Sequence, residues 1–99
     1  MNILSFDVGG TSIKYGIVNE YSEISMKGSI KTPDNENSFL EVINSIINKC
    51  DSKLNKISIA MPGFVDKKNA IYLYGTNIKY KIDFNKIKDF NYSDFIIDN

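Results

Sequence analysis

Ninety-nine residues and 11.2 kDa allow one domain with one modest core, because a chain of this length buries roughly 60–68% of its unfolded surface. Twelve basic residues, all lysine, balance twelve acidic ones for a formal net charge of zero, which argues against the clustered positive charge of a nucleic-acid or anionic-membrane footprint. With no Arg, no His and a single Cys50, the chain cannot build guanidinium forks, imidazole bases, His-based zinc sites or an internal disulfide.

Residues 2–8 alternate loosely and run into Asp7-Val8-Gly9-Gly10, which predicts a buried strand entering a tight turn. Residues 12–19 predict a returning strand with Ile13, Tyr15 and Ile17 on one face. A polar turn at Glu20-Tyr21-Ser22 leads to a third strand over 23–31, with Ile24, Met26 and Ile30 in alternation. Three strands joined by short turns make an antiparallel meander. After Thr32-Pro33-Asp34 the period changes, and Phe39, Leu40, Val42, Ile43, Ile46 and Ile47 recur at helical spacing. Ser38 with Glu41 fits a capping box, Asp34 or Asn35 would cap an earlier start, and the helix should run to about Asp51.

Residues 56–61 predict a strand that Pro62-Gly63 ends. A turn at Lys67-Lys68-Asn69 separates short strands at 64–65 and 70–73. Phe84, Ile87 and Phe90 mark a brief amphipathic helix over 83–90, and residues 93–98 a last strand. The order βββ-α-β-(ββ)-α-β is an α/β arrangement with a mixed sheet. Sixteen Ile, twelve Lys and twelve Asn read as a compositional bias rather than a functional signal. The N-terminus lacks a signal-peptide n-region, and no apolar run approaches the ~18 residues of a membrane span, so the cytoplasm is the expected compartment.

Asp7-Val8-Gly9-Gly10-Thr11-Ser12-Ile13-Lys14 carries the most chemistry. Two glycines would let the backbone turn with positive φ and approach a ligand closely. Their N–H groups and the Thr11 hydroxyl would then face phosphate oxygens as an anion-binding nest. Asp7 stands where a carboxylate holds Mg²⁺ beside that phosphate, and Lys14 would supply a point charge. The spacing matches neither a Walker A loop nor a dinucleotide fingerprint. Gly9-Gly10 by itself reads equally well as a plain hairpin turn; a turn of that kind does not need the strand aspartate before it.

Three segments together resemble the ROK family of sugar kinases and repressors, within the actin-like, sugar-kinase and heat-shock ATPase superfamily. They are Asp7-x-Gly-Gly-Thr11-x-Ile-Lys14-x-Gly16-Ile-Val, Ile57-Ser-Ile-Ala-Met-Pro62-Gly63-x-Val65-Asp66, and Phe95-Ile-Ile-Asp98-Asn99. The resemblance spans essentially the whole chain, residues 1–99. It implies an RNase H-like amino-terminal lobe of a ROK-type sugar kinase, carrying half of an ATP- and sugar-binding cleft. Asp7, Gly9, Gly10, Thr11 and Lys14 match the phosphate-facing loop, with Asp7 on the metal. Gly63 and Phe64 match the sugar-facing loop, Thr76 borders the same pocket, and Asn99 matches an asparagine that hydrogen-bonds the sugar.

The same resemblance implies ATP and Mg²⁺ as cofactors and a hexose or N-acetylhexosamine as substrate, with neither nucleic acid nor membrane as partner. The family's general-base aspartate would follow Asn99, so no catalytic residue is assigned within the 99 residues. The second lobe and the zinc-binding Cys/His segment would also lie outside them. The isolated chain is therefore expected to show no useful kinase activity. Two other readings compete. One is a non-catalytic or regulatory domain that associates with another chain, as a homodimer or with a second lobe. The other is a ROK-type repressor, disfavoured because the first strand begins at Ile3 with no room for a winged helix before it.

Asp66, Asp83, Asp89 and Asp94 are expected on solvated turns and helix ends. The run Lys79, Lys81, Lys86 and Lys88 is interrupted by acids and reads as a solvated face. Cys50 is expected to be inert and partly buried.

Overall fold

A computed structural model of the chain describes residues 1–50, 54–87 and 95–98. Eight strands, one α-helix and a single 3-10 turn are described. They are β1 (Asn2–Val8), β2 (Ser12–Asn19), β3 (Ile24–Lys31), α1 (Glu36–Asn48), β4 (Lys56–Ala60), β5 (Phe64–Asp66), β6 (Ile71–Tyr74), β7 (Ile82–Asp83), the 3-10 turn Phe84–Lys86, and β8 (Phe95–Asp98).

A five-stranded mixed sheet has the order β3-β2-β1-β4-β8. The meander β1-β2-β3 is antiparallel, whereas β4 runs parallel to both β1 and β8. That combination follows from the connections: tight turns join the first three strands, and the α1 crossover returns the chain to the other side of β1. On β1, Leu4, Phe6 and Val8 are buried. They pair in register with Ile17, Tyr15 and Ile13 on β2, and Leu4 and Phe6 with Ile57 and Ile59 on β4. Phe39, Leu40, Ile43 and Ile46 of α1 join these residues in one core, as period 2 on strands and period 3.6 on a helix require.

The intervening positions Ser5, Asp7, Lys14, Gly16, Ser58 and Ala60 face away from α1, along an open cavity of about 440 Å³. Asp98 pairs with Ala60, which pairs with Asp7, so these three lie in one row across β8, β4 and β1.

The alternation expected for the third strand is broken by a bulge. The register steps from Tyr15↔Gly28 to Ile17↔Ser25, and Met26 takes a left-handed φ of 48°. An extra residue in one strand reverses the facing of what precedes it. Ile30, paired with Ile13, therefore faces the core side. Ile24, paired with Val18, borders the open cavity and is 59% exposed.

Helix α1 starts earlier than a Ser38–Glu41 box would place it. Asn35 is the N-cap, its side-chain oxygen accepting the Ser38 N–H at 2.9 Å, and this satisfies one of the donors a helix start leaves open. The helix ends at Asn48; Asp51 lies outside the described residues.

A second, three-stranded antiparallel sheet, β5-β6-β7, contributes Tyr72 and Ile82 to the same core, and the 3-10 turn after it adds Phe84. The helix expected over 83–90 is not formed in its described part. Asp83 is extended and pairs with Ile71, its carboxylate accepts the Asn85 N–H, and a single 3-10 turn follows before Ile87 is extended again. Residues 88–90, the remainder of that expectation, lie outside the described residues. Three hydrogen bonds tie this sheet and its flanking residues to α1 and its approach. Glu36 accepts the Asp83 N–H at 2.9 Å and the Lys86 ammonium at 2.8 Å, and the Tyr80 hydroxyl donates to the Pro33 carbonyl at 2.6 Å.

Candidate active site

The turn between β1 and β2 is tight but uses no left-handed glycine; no glycine has positive φ among the described residues. The expected reason for Gly9-Gly10 is thus replaced by another, close approach. A Cβ on Gly10 would meet the Cβ of Asn77 at 2.8 Å, nearer than two such atoms come. The turn is held from within and from β3. Gly9 N–H donates to the Ser12 carbonyl at 2.9 Å, the buried Thr32 hydroxyl donates to the Gly9 carbonyl at 2.7 Å, and Thr32 N–H donates to the Thr11 carbonyl at 3.0 Å.

Gly9 N–H is therefore spent inside the turn. Neither the Gly10 nor the Thr11 N–H donates to another group among the described residues, and both residues are exposed. The nest narrows to those two donors and the Thr11 hydroxyl.

Asp7 and Lys14 are Cα partners across β1 and β2, both exposed, and both line the open cavity on the face away from α1. Strand alternation thus aims Lys14 to the same side as Asp7. A carboxylate, an ammonium and two open amide donors stand together at one end of the sheet. No group of three or more His, Cys, Asp or Glu side chains converges as a metal cage among the described residues. Asp7 alone suits Mg²⁺, which is commonly held by one or two carboxylates plus substrate phosphates and its own waters.

The sugar-side candidates also converge. Gly63, Phe64 and Thr76 line one cavity of about 510 Å³, together with Pro62, Tyr74, Gly75 and Lys79. Its floor is a contact between backbones. A Cβ on Gly63 would lie 2.5 Å from the Tyr74 carbonyl oxygen, and one on Gly75 would lie 2.5 Å from the Tyr72 hydroxyl. That hydroxyl is buried and donates to the Ile78 carbonyl at 2.6 Å; burial pushes its pKa up. Asn99 lies outside the described residues, directly after Asp98 in the row of Ala60 and Asp7.

Two residues escaped sequence reasoning. Thr32 reads in the sequence only as the end of a strand; the register Ser12↔Lys31, extended by one position, sets it opposite Thr11, and a strand pairing carried past Lys31 is the signal that finds it. Asn77 carried no signal, since its role depends on a loop packing against Gly10. Asp66 and Asp83 are used locally, and Asp89 and Asp94 lie outside the described residues. Asp66 accepts from Asn69 through both oxygens, which hold its carboxyl below the usual range, and Asp83 caps the 3-10 turn. Cys50 is partly buried, with its Sγ 3.8 Å from Met26 Sδ.

The site thus sits on an α/β lobe, with a mixed sheet that carries an acidic residue beside a glycine turn and a second small sheet that carries the other pocket. The sequence profile of the ROK family matches residues 3–90: the chain belongs to the ROK family. It is 35% identical over 72 residues to the N-acetyl-D-glucosamine kinase of Vibrio parahaemolyticus, covering 69% of this chain and 24% of that protein. It is 26% identical over 85 residues to the beta-glucoside kinase of Listeria monocytogenes, covering 86% of this chain and 29% of that one. Among solved structures, the ROK family glucokinase from Streptomyces griseus, in complex with glucose and AMPPNP, superposes with a TM-score of 0.70. It is 26% identical and matches 79% of this chain and 26% of its own. The chain thus spans about a quarter of the length of the curated relatives it matches.

Proposed function

We propose that this chain supplies the phosphate loop and part of the sugar pocket of an ATP-dependent kinase for a hexose or N-acetylhexosamine. The observation that carries the reading is the nearness of Asp7 and Lys14, paired across β1 and β2, to the open Gly10 and Thr11 amides at the same end of the sheet. The Gly63–Thr76 cavity opens beyond Asn77. The sheet order β3-β2-β1-β4-β8 supports reading the lobe as RNase H-like, within the actin-like ATPase class. The kinases among its relatives supply the reaction and the substrate class.

Phosphoryl transfer depends on positioning and on neutralising charge over the transferring group. In this reading the Gly10 and Thr11 amides orient nucleotide phosphate oxygens, and the Lys14 ammonium adds positive charge beside them. The Asp7 carboxylate holds Mg²⁺, which when bound neutralises phosphate charge. Gly63 and Thr76 orient the sugar, with Asn99 assigned to a sugar hydroxyl. A cytoplasmic setting, where nucleotide and sugar meet, belongs to the same proposal.

Thermal unfolding of the chain with Mg-ATP, and separately with glucose or N-acetylglucosamine, tests it. Ligand at ten times its Kd contributes about 1.4 kcal/mol, a rise of roughly 5–10 °C for a domain of this size. The reading expects a rise with Mg-ATP that Asp7→Ala removes, and a rise with sugar that it leaves. Equal Mg-ATP responses in the two proteins would refute the assignment of Asp7.

A further inference from the structure

Among the described residues, Phe64 and Tyr74 are two of the large apolar side chains left in solvent, 59% and 60% exposed. They are Cα partners across β5 and β6, and their rings form a tilted pair with centroids 5.0 Å apart and planes at 32°. The outer ring surfaces remain open along the 510 Å³ cavity. Its volume lies within the range of small-molecule sites.

The hairpin beneath is fixed by the Gly63–Gly75 backbone contact and the Tyr72–Ile78 hydrogen bond. Binding would therefore spend little on ordering it. Among the described residues, the polar groups around the rings are a hydroxyl (Thr76), an ammonium (Lys79) and glycine backbone, with no carboxylate in the lining. Aromatic faces with sparse hydrogen-bonding groups at the rim suit a ligand that is flat and C–H-bearing on one side and hydroxylated around its edge. A pyranose ring has that form.

We propose that Phe64 and Tyr74 are a stacking shelf that takes the C–H face of a pyranose ring in this cavity and so help set its specificity. The inference rests on the sugar-kinase reading, which gives the cavity its substrate but assigns no role to the two rings together. A ring whose C–H bonds lie flat on one face gains the shelf; an open-chain polyol with the same hydroxyl chemistry does not.

The test is an NMR titration of the 99-residue chain with methyl β-D-glucopyranoside, following the Phe64 and Tyr74 ring signals and the Gly63 and Thr76 amides. Glucitol and adenosine serve as comparison ligands. The expected result is that the glycoside moves ring and amide signals together and glucitol leaves the rings still. The double variant F64A/Y74A should bind the glycoside about tenfold more weakly, the effect of losing two aromatic contacts. Phe64→Tyr and Tyr74→Phe should retain binding.

Amide shifts without ring shifts would overturn the shelf and leave the sugar pocket standing. No shift at either would overturn both. Stronger ring shifts with adenosine would assign the shelf to a nucleobase instead. Ring signals that change on dilution without ligand would assign it to self-association.

Discussion

Gly10 and Asn77 stand so close that a Cβ on Gly10 would lie 2.8 Å from the Cβ of Asn77. The turn after β1 and the loop after β6 therefore meet with no room for a side chain between them. Through this contact the two candidate half-sites are neighbours: Asn77 follows Thr76 of the 510 Å³ cavity, and Lys79 lines that cavity and the groove shared by Gly10 and Asn77.

Replacing Gly10 should push the loops apart. Gly10→Ala is expected to destabilise by about 1–2 kcal/mol, in the lower part of the range for overpacking because both residues are exposed. Asn77→Gly removes the opposing Cβ, so the double variant should recover most of the loss. Urea unfolding of the four proteins checks this, and strict additivity would show that the contact does not couple them.

Thr32→Val keeps the shape of a buried side chain and deletes its hydroxyl. The Gly9 carbonyl loses its partner at 2.7 Å, at an expected cost of about 1–2 kcal/mol. Backbone amide exchange at the turn reports the same event: Gly9 N–H, bonded to Ser12, should exchange faster in the variant. Unchanged stability and exchange would mean that Thr32 does not hold the loop.

Glu36 gives the fold a defined acid limb. The Lys86 ammonium and the Asp83 N–H hold its carboxyl below the ordinary value of 4.5. A carboxyl depressed in the folded state stabilises above its unfolded value, and that contribution is lost as the pH falls through the folded one. Glu36→Gln should flatten the fall in stability below about pH 4.5. The flattening is partial, because Glu20, beside the N-terminal ammonium, and Asp66, beside Asn69, shift in the same direction. Denaturant midpoints measured from pH 7 to pH 3 read it directly.

The strands and helix α1 were legible because their apolar positions repeat at 2 or near 3.6 along uninterrupted runs, and β1, β2 and β4 match their expected ranges within a residue. Legibility failed where a tertiary contact overrode the local pattern. Phe84 and Ile87 are spaced for a helix, but Asp83 pairs with Ile71 and Asn85 donates to the Asn69 carbonyl, so among the described residues of this stretch a 3-10 turn stands in place of the helix. Ile24 lost its expected side because the bulge at Met26 reverses facing, and nothing in Glu23-Ile24-Ser25-Met26 announces a bulge. In the candidate site, the run from Asp7 to Thr11 was legible as a strand entering a tight glycine turn. The reason for Gly10 was not, since it resides in Asn77, sixty-seven positions away.

The central claim is that the turn after β1 receives nucleotide phosphate beside Asp7. Titration of the ¹⁵N-labelled chain with Mg-ATP, repeated with chelator and with Asp7→Asn, tests it most directly. The account predicts that the Gly10 and Thr11 amide signals move on titration, that chelation weakens the response, and that Asp7→Asn abolishes its magnesium dependence. Gly10 and Thr11 signals that stay in place at saturating Mg-ATP would contradict it.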